Sequence, residues 1–336
     1  MRSAFRPAPG LGNPHVQTVL GKLLRPSPVL ASRRERLETP DGDFVDVDLM
    51  GAWPRAGEPA GPIVVVLHGL EGRSTRRYMR LTYVSLLERG LRPVGLNFRG
   101  CSGEPNRTAR AYHSGETGDL RLVLETLRDR FGGPLGVVGY SLGGNVALRF
   151  LGQDGAGEPA TGPTPASELV AAGATVSVPF DLDAGGRALE GSVIGRGVYT
   201  RYFMRSLRRK VLEKGDLVAG VCDAGAVLRA RTIREFDEAF TAPIFGFDDA
   251  ADYYARASSA RFISGIDVPT LIVHSRDDPF LPADRIPEAA MRANPAVTPV
   301  ITERGGHQGY VAGSLLRPRF WVEEVVGEWM RARLLG

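Results

Sequence analysis

Gly139-Tyr140-Ser141-Leu142-Gly143 places one serine between two spaced glycines, the GxSxG pattern of an activated hydroxyl nucleophile. Glycine makes up 42 of the 336 residues, so the pattern by itself is weak. Its setting is more specific. It follows an apolar run at 135–138 and opens a helical pattern near Gly144, the strand–turn–helix arrangement that exposes a nucleophile. A serine hydroxyl attacks only when a base removes its proton. Of the five histidines, His307 alone follows both the serine and a suitable acid, which is the order this elbow chemistry uses. The acid is expected where the run 270–274 ends, in Ser275-Arg276-Asp277-Asp278-Pro279. A carboxylate there would accept the imidazole N–H, fix its tautomer and stabilise the imidazolium. Asp278 is preferred because it leaves three residues to turn out of the strand. Asp277 competes, and the loser would cap the turn or face solvent.

The developing oxyanion needs two backbone donors. Leu142, directly after the serine, would supply one. The other is expected from Leu70, in the turn His68-Gly69-Leu70-Glu71-Gly72 that follows the run 63–67. His68 is expected to shape that turn. His274 falls inside a strand, and His15 and His113 precede the serine, so all three read as structural.

These residues need a scaffold. The runs at 63–67, 91–98, 135–140, 169–178, 270–274 and 297–301 are apolar without alternation, as strands buried on both faces are. Helical patterns at 75–89, 117–131, 144–152, 282–293 and 316–334 lie between and after them. Such alternation predicts an α/β fold with a mostly parallel, doubly wound sheet. Residues 36–50 alternate on either side of Asp41-Gly42, which predicts a β-hairpin. Residues 1–35, rich in Pro and Gly, read as a surface-lying arm, and 153–166 as a flexible surface loop. The segment 182–265 has helix-like stretches and no strong strand, and it is too long for an ordinary loop. It predicts a helical cap inserted into a core formed by 36–181 and 266–336.

The bulk composition is that of an ordinary globular chain, 43% hydrophobic and 24% charged, with a net charge of +4. Two cysteines, Cys101 and Cys222, show neither CxxC spacing nor a Cys/His cluster, which argues against a disulfide framework or a zinc site. No metal and no cofactor is expected. Lysine occurs only three times, so the positive charge is nearly all arginine, and no nucleic-acid-reading motif accompanies it. No apolar stretch reaches signal-peptide or membrane-span form, and a cytoplasmic location is expected. From Arg187 to Lys214 eight basic residues face two acidic ones, a surplus of six in one segment. A solvated helix face is the plain explanation; attraction to an anionic membrane or a phosphate-bearing substrate is the sharper one.

Several stretches together resemble the YheT-type branch of the α/β-hydrolases, related to the abhydrolase-domain esterases and lipases. They are Asn13-Pro14-His15-Val16-Gln17-Thr18, His68-Gly69-Leu70-Glu71-Gly72, Asn97-Phe98-Arg99-Gly100, Tyr112-His113-Ser114-Gly115-Glu116-Thr117, the GxSxG segment, Phe236-Asp237-Glu238 through Asp252-Tyr253-Tyr254, and Asp277-Asp278-Pro279. The resemblance implies the α/β-hydrolase fold and hydrolysis of short- or medium-chain acyl esters or acylglycerols. It also implies the set Ser141, Asp278 and His307 and a lid built from 182–265. A thioesterase, an acyltransferase, a peptidase or a lipase working at membrane surfaces would use the same three residues. A non-catalytic binding module is disfavoured, because no member of the set is missing.

Overall fold

The computed structural model describes residues 5–55, 57–158 and 162–336. Its centre is an eight-stranded sheet of β1 (Ser32–Glu38), β2 (Phe44–Met50), β3 (Ile63–Leu67), β4 (Arg92–Asn97), β5 (Leu135–Tyr140), β6 (Ala172–Val176), β7 (Thr270–Ser275) and β8 (Val297–Thr302). The spatial order is β1-β2-β4-β3-β5-β6-β7-β8. β1 and β2 form the antiparallel hairpin expected around Asp41-Gly42, and β2 joins β4 antiparallel. All later pairings are parallel. A short ribbon, β9 (Val311–Gly313) with β10 (Pro318–Phe320), stands apart from this sheet.

β3 explains why the central strands read as unbroken apolar runs. Ile63, Val65 and Leu67 enter one core, with Leu120, Val123 and Leu127 of α3 (Gly118–Phe131) and Val146 and Phe150 of α4 (Leu142–Gly152). Val64 and Val66 enter the other, with Met79, Tyr83 and Leu86 of α2 (Arg77–Leu87) and Val322, Val326 and Met330 of the C-terminal helix Trp321–Leu334. Strand side chains alternate between faces, so a sheet covered on both sides needs apolar residues at every position.

Where residues 1–35 read as an arm, the structure has a helix, α1 (Pro14–Leu24), and β1 already begins at Ser32. Asn13 caps the helix, its side chain accepting from the amides of His15 and Val16, and Pro14 opens it. Val16, Leu20 and Leu24 pack with Ala8, Leu11 and Val311, and polar contacts add to this apolar face. Gln17 exchanges two hydrogen bonds with the main chain of Val311, at 3.2 and 2.9 Å. Just after it, Arg25 is buried against Glu323 at 2.6 Å and donates to the carbonyls of Gln308 and Gly309. The pattern at 316–334 begins as β10 and becomes helical only at Trp321. The expected loop at 153–166 ends in a short helix, α5 (Ala166–Leu169), and residues 159–161 of it lie outside the described residues.

Between β6 and β7, residues 182–265 are helical throughout their ordered elements. They include α6 (Leu182–Gly191), a π-helical stretch at Gly195–Thr200, α7 (Arg201–Lys214), α8 (Ala224–Arg229), α9 (Ile233–Phe236), α10 (Ala242–Phe245) and α11 (Ala250–Ala257). Met204, Leu207, Val211, Val227, Phe236 and Phe240 give this segment an apolar core of its own, and Leu70 packs against it.

Three histidines are sealed inside the fold. Burial pushes His68 and His113 down to about 3, and His274 to about 4 despite the pull of Asp278. Arginine charges, chiefly that of Arg149, add to the effect at His113. Their folded values lie below the unfolded value near 6.5, so acid favours the unfolded chain. The stability they protect is complete above pH 6.5 and drains as pH falls toward 4. Each contributes a slope of up to about 1.4 kcal/mol per pH unit. Asp237, which burial raises to about 6, opposes roughly one of the three. His113 sits among Phe245, Phe247 and Tyr253. We therefore expect His113→Phe to flatten urea-derived stability between pH 6 and pH 5 by about one proton's worth. A slope equal to that of the wild type would contradict the burial argument.

Candidate active site

Ser141 stands between β5 and α4 with φ 52° and ψ −120°. A side chain rarely adopts that backbone, and the surroundings hold it there. Its amide donates to the Val176 carbonyl at 2.9 Å. A Cβ on Gly139 would lie 2.4 Å from the Gly143 carbonyl oxygen, and one on Gly143 would lie 2.6 Å from that of His68. The two glycines are therefore required by the close approach of strand and helix, as the GxSxG spacing suggested.

His307 follows β8 in a loop gripped from several directions. Its amide donates to Thr18 Oγ1 of α1 at 2.9 Å. The Gly306 amide donates to Asp277 Oδ1 at 2.9 Å, and the Gly306 carbonyl accepts from Ser275 Oγ at 2.8 Å. The Gln308 amide donates to Ser177 Oγ at 3.0 Å. The Phe280 ring stacks on the imidazole at 4.0 Å between centroids. So held, Nδ1 lies 2.9 Å from Asp278 Oδ2 and 3.1 Å from Oδ1, while Nε2 lies 2.9 Å from Ser141 Oγ. With the proton on Nδ1, that nitrogen donates to the carboxylate and Nε2 accepts from the serine hydroxyl.

The two neighbouring aspartates have distinct environments. Asp278 is 5% exposed. Burial pushes its carboxyl up, but His307, with help from His274 and the Phe280 amide, holds it below its ordinary value. It therefore stays an anion facing the imidazole. Asp277 is half-buried and raised by burial; it braces the glycine before His307 and neither caps a turn nor faces open solvent.

The turn after β3 lies against the serine, since a Cβ on Gly69 would come within 3.1 Å of Ser141 Cβ. His68 donates from Nδ1 to the Gly69 carbonyl at 2.8 Å and accepts the Phe98 amide at Nε2, 3.3 Å away. It shapes this turn and takes no part in the relay. The Gly69 amide donates to the Tyr78 hydroxyl at 2.9 Å. The amides of Leu70 and Leu142 donate to no other protein group among the described residues, which leaves both free for a ligand oxygen. His274 is fully buried beside Phe180, its Nε2 4.0 Å from Asp278 Oδ2. His15 meets Tyr199 at 3.2 Å.

Two spaces meet at Ser141 and His307. A mostly apolar one of about 120 Å³ runs beneath the cap past Leu142, Leu189, Leu207, Phe236 and Tyr254. An open groove of about 520 Å³ runs the other way along α1, past Val19, Leu23, Tyr78, Val198 and Tyr202. A third, polar cavity of about 290 Å³ contains none of Ser141, Asp278 and His307. Cys101 and Cys222 are free thiols, and the described residues contain no cluster of His, Cys, Asp and Glu suited to a metal ion. No described helix is long and apolar enough to cross a membrane.

The contributions of Thr18, Asp277, Ser177 and Phe280 to the histidine loop were not read from sequence. Two signals in the sequence point to α1: Asn13-Pro14, a cap residue followed by proline, and the helical spacing of Val16, Val19, Leu20, Leu23 and Leu24.

Residues 64–324 match the model of the alpha/beta hydrolase family. The chain is 38% identical over 335 residues to YheT of Escherichia coli strain K12, which carries the name of an esterase; the match spans 98% of this chain and 94% of YheT. Phospholipase ABHD3 of Mus musculus is 31% identical over 94% of this chain and 75% of its own length. Among solved structures, the Pyrococcus furiosus esterase Pf2001 superposes with a TM-score of 0.56 at 16% identity, over 91% of this chain and 94% of that one, a likeness of fold. With an eight-stranded, mostly parallel sheet flanked by helices and this extent of matching, the chain belongs to the alpha/beta hydrolase family, in a branch whose named members include esterases and lipases.

Proposed function

We propose that the chain hydrolyses carboxylic esters of short or medium acyl chains through an acyl-enzyme on Ser141. The observation that carries this reading is the unbroken relay from Ser141 Oγ through His307 to Asp278, with two unengaged amides beside the serine. Ser141 attacks the ester carbonyl as His307 Nε2 takes its proton. The amides of Leu70 and Leu142 receive the oxyanion. His307 then protonates the leaving alcohol, and water deacylates the serine by the same route. The small apolar space fits a short acyl chain, and the open groove fits the alcohol part. The cap, residues 182–265, acts as a lid over the acyl side. Free thiols suit a reducing compartment such as the cytoplasm. Thioester hydrolysis or acyl transfer would need only a different leaving group or acceptor.

Ser141→Ala removes the attacking atom, so turnover of a soluble nitrophenyl ester should fall at least roughly a thousandfold in a protein that still folds. A fluorophosphonate should label the wild type and spare the variant. More than a tenth of wild-type turnover in the folded variant would refute the assignment.

Asp278→Asn should favour the wrong imidazole tautomer and cost on the order of 10² or more in turnover. Asp277→Asn keeps an oxygen that can accept the Gly306 amide, and it should cost less than about tenfold. Side-by-side turnover of the two on one soluble ester decides between them; the reverse ranking would move the acid one residue back.

A second reading concerns where the ester is met. Arg196, Arg201 and Arg205 are exposed and form no ion pair among the described residues. Arg208 donates to the Ala230 carbonyl and Arg209 pairs with Glu213. Exposed Val19, Leu23, Val198 and Tyr202 border the open groove with Lys22 and Arg77, and Val198 and Tyr202 belong to the same stretch of chain as the three arginines. Cationic and apolar groups around one mouth suit an anionic lipid surface. Replacing Arg196, Arg201 and Arg205 by Gln should weaken binding to vesicles of anionic phospholipid by about tenfold, with a steep salt dependence in the wild type. Hydrolysis of a soluble ester should stay within about twofold. Equal vesicle binding by variant and wild type would leave only a solvated face.

A further inference from the structure

Glu71 follows the candidate oxyanion donor Leu70 and has φ 53°. Such a conformation persists in a non-glycine residue only where neighbours over-determine it. Here its main chain is tied on both sides. The amide donates to the Tyr112 hydroxyl at 2.8 Å, and the carbonyl accepts from Arg76 at 2.9 Å. The side chain is 1% exposed, and its carboxylate is fully engaged. Oε1 accepts from the Tyr112 hydroxyl and from Lys210 Nζ, each at 2.8 Å, and Oε2 accepts from the Ser206 hydroxyl.

Ser206 and Lys210 are four residues apart on α7, so they share one face of the cap helix and reach the same carboxylate. Lys210 also meets Cys101 Sγ at 2.9 Å. Arg76 spans the same junction, donating to the Tyr202 hydroxyl of α7 at 3.1 Å. Leu70 packs against the apolar core of the cap. The cap thus grips the oxyanion turn twice, through the side chain of Leu70 and the carboxylate of the next residue. The polar cavity of about 290 Å³ adjoins this cluster, lined in part by Glu71, Ser206 and Lys210.

We propose that Glu71 is a positioning residue that makes the oxyanion hole conditional on docking of the cap. With α7 seated, Ser206 and Lys210 hold Glu71 in its left-handed conformation and the Leu70 amide faces the reacting carbonyl. With α7 lifted, the carboxylate keeps only Tyr112 of its three partners, the turn gains freedom, and the Leu142 amide is the one donor that stays fixed. Closure over substrate and assembly of the hole are then one event. This rests on the acyl-enzyme reading of Ser141.

The test uses the full chain with Glu71→Ala, Glu71→Gln and the double variant Ser206→Ala/Lys210→Met. Turnover of a soluble short-chain nitrophenyl ester is normalised to Ser141 sites titrated with a fluorophosphonate, so unfolded protein does not count. Loss of one oxyanion donor costs about 10²–10³ in kcat, and a misdirected one should cost about ten- to a hundredfold. That loss is expected in Glu71→Ala and in the double variant, with KM moving less than about threefold. Glu71→Gln, which keeps an acceptor for Lys210, should recover part of it. The inhibition constant of a trifluoromethyl ketone, whose hemiketal oxyanion needs the same amides, should rise by the factor by which kcat/KM falls. Unchanged kcat per titrated site overturns the link. So does a loss confined to KM with inhibition by the ketone unaltered. Wild-type turnover that survives Ser141→Ala would instead bring down the acyl-enzyme reading itself, so the two failures are distinguishable.

Discussion

The imidazole of His307 lies 2.9 Å from Ser141 Oγ and 2.9 Å from Asp278 Oδ2, although the three residues leave the sheet after three different strands. A ring can meet two such partners only if its loop has almost no freedom, since a misplacement of about 1 Å costs orders of magnitude in rate. The loop Gly305–Gly309 has no secondary structure of its own to supply that stiffness. It borrows it instead. Thr18 fixes the His307 amide, Asp277 and Ser275 fix Gly306, Ser177 fixes Gln308, and Phe280 lies flat on the ring. Each brace is an ordinary hydrogen bond or ring contact, worth little alone. Their convergence from α1, β6 and β7 leaves the ring one place to be.

The sheet makes that convergence cheap. β5, β6, β7 and β8 run parallel in neighbouring positions, so their C-terminal ends lie side by side. Ser141, Ser177, Asp278 and His307 follow those four ends in turn. In open α/β sheets ligands are met at the carboxyl ends of the strands, and here those ends carry the whole relay. Burial then sharpens the chemistry: Asp278 stays charged because His307 offsets the cost of its desolvation.

What was legible in the sequence follows from how the information is stored. Strands covered on both faces had to be apolar at every position, and the runs 63–67 and 135–140 correspond to β3 and β5 at the same residues. The GxSxG glycines are legible for a steric reason that has no alternative, the 2.4 Å approach at Gly139. Ser141 and His307 could be picked out by order along the chain and Asp278 preferred over Asp277 by its distance from the strand end, and the fold brings those three together. The bracing set was not legible. Thr18 and Asp277 are ordinary polar residues in sequence; only the fold brings them beside the His307 loop. α1 was legible in principle, since Val16, Val19, Leu20, Leu23 and Leu24 recur at helical spacing, but the Pro and Gly around this short helix masked the period. Arg208 and Arg209 show the limit of counting charge, since a basic run says nothing about which cations are already engaged.

Arg25 has a further consequence, in the order of events as the chain folds. Its ion pair with Glu323 joins residues 298 positions apart, and the same guanidinium holds the carbonyls of Gln308 and Gly309. A contact that closes nearly the whole chain into a loop carries a large entropic cost, so it forms only after the intervening sheet has brought the two ends together. The loop bearing His307 is therefore among the last parts of the molecule to become rigid. A chain without its final helix lacks Glu323, and with it the ion pair that seats Arg25 beside the His307 loop.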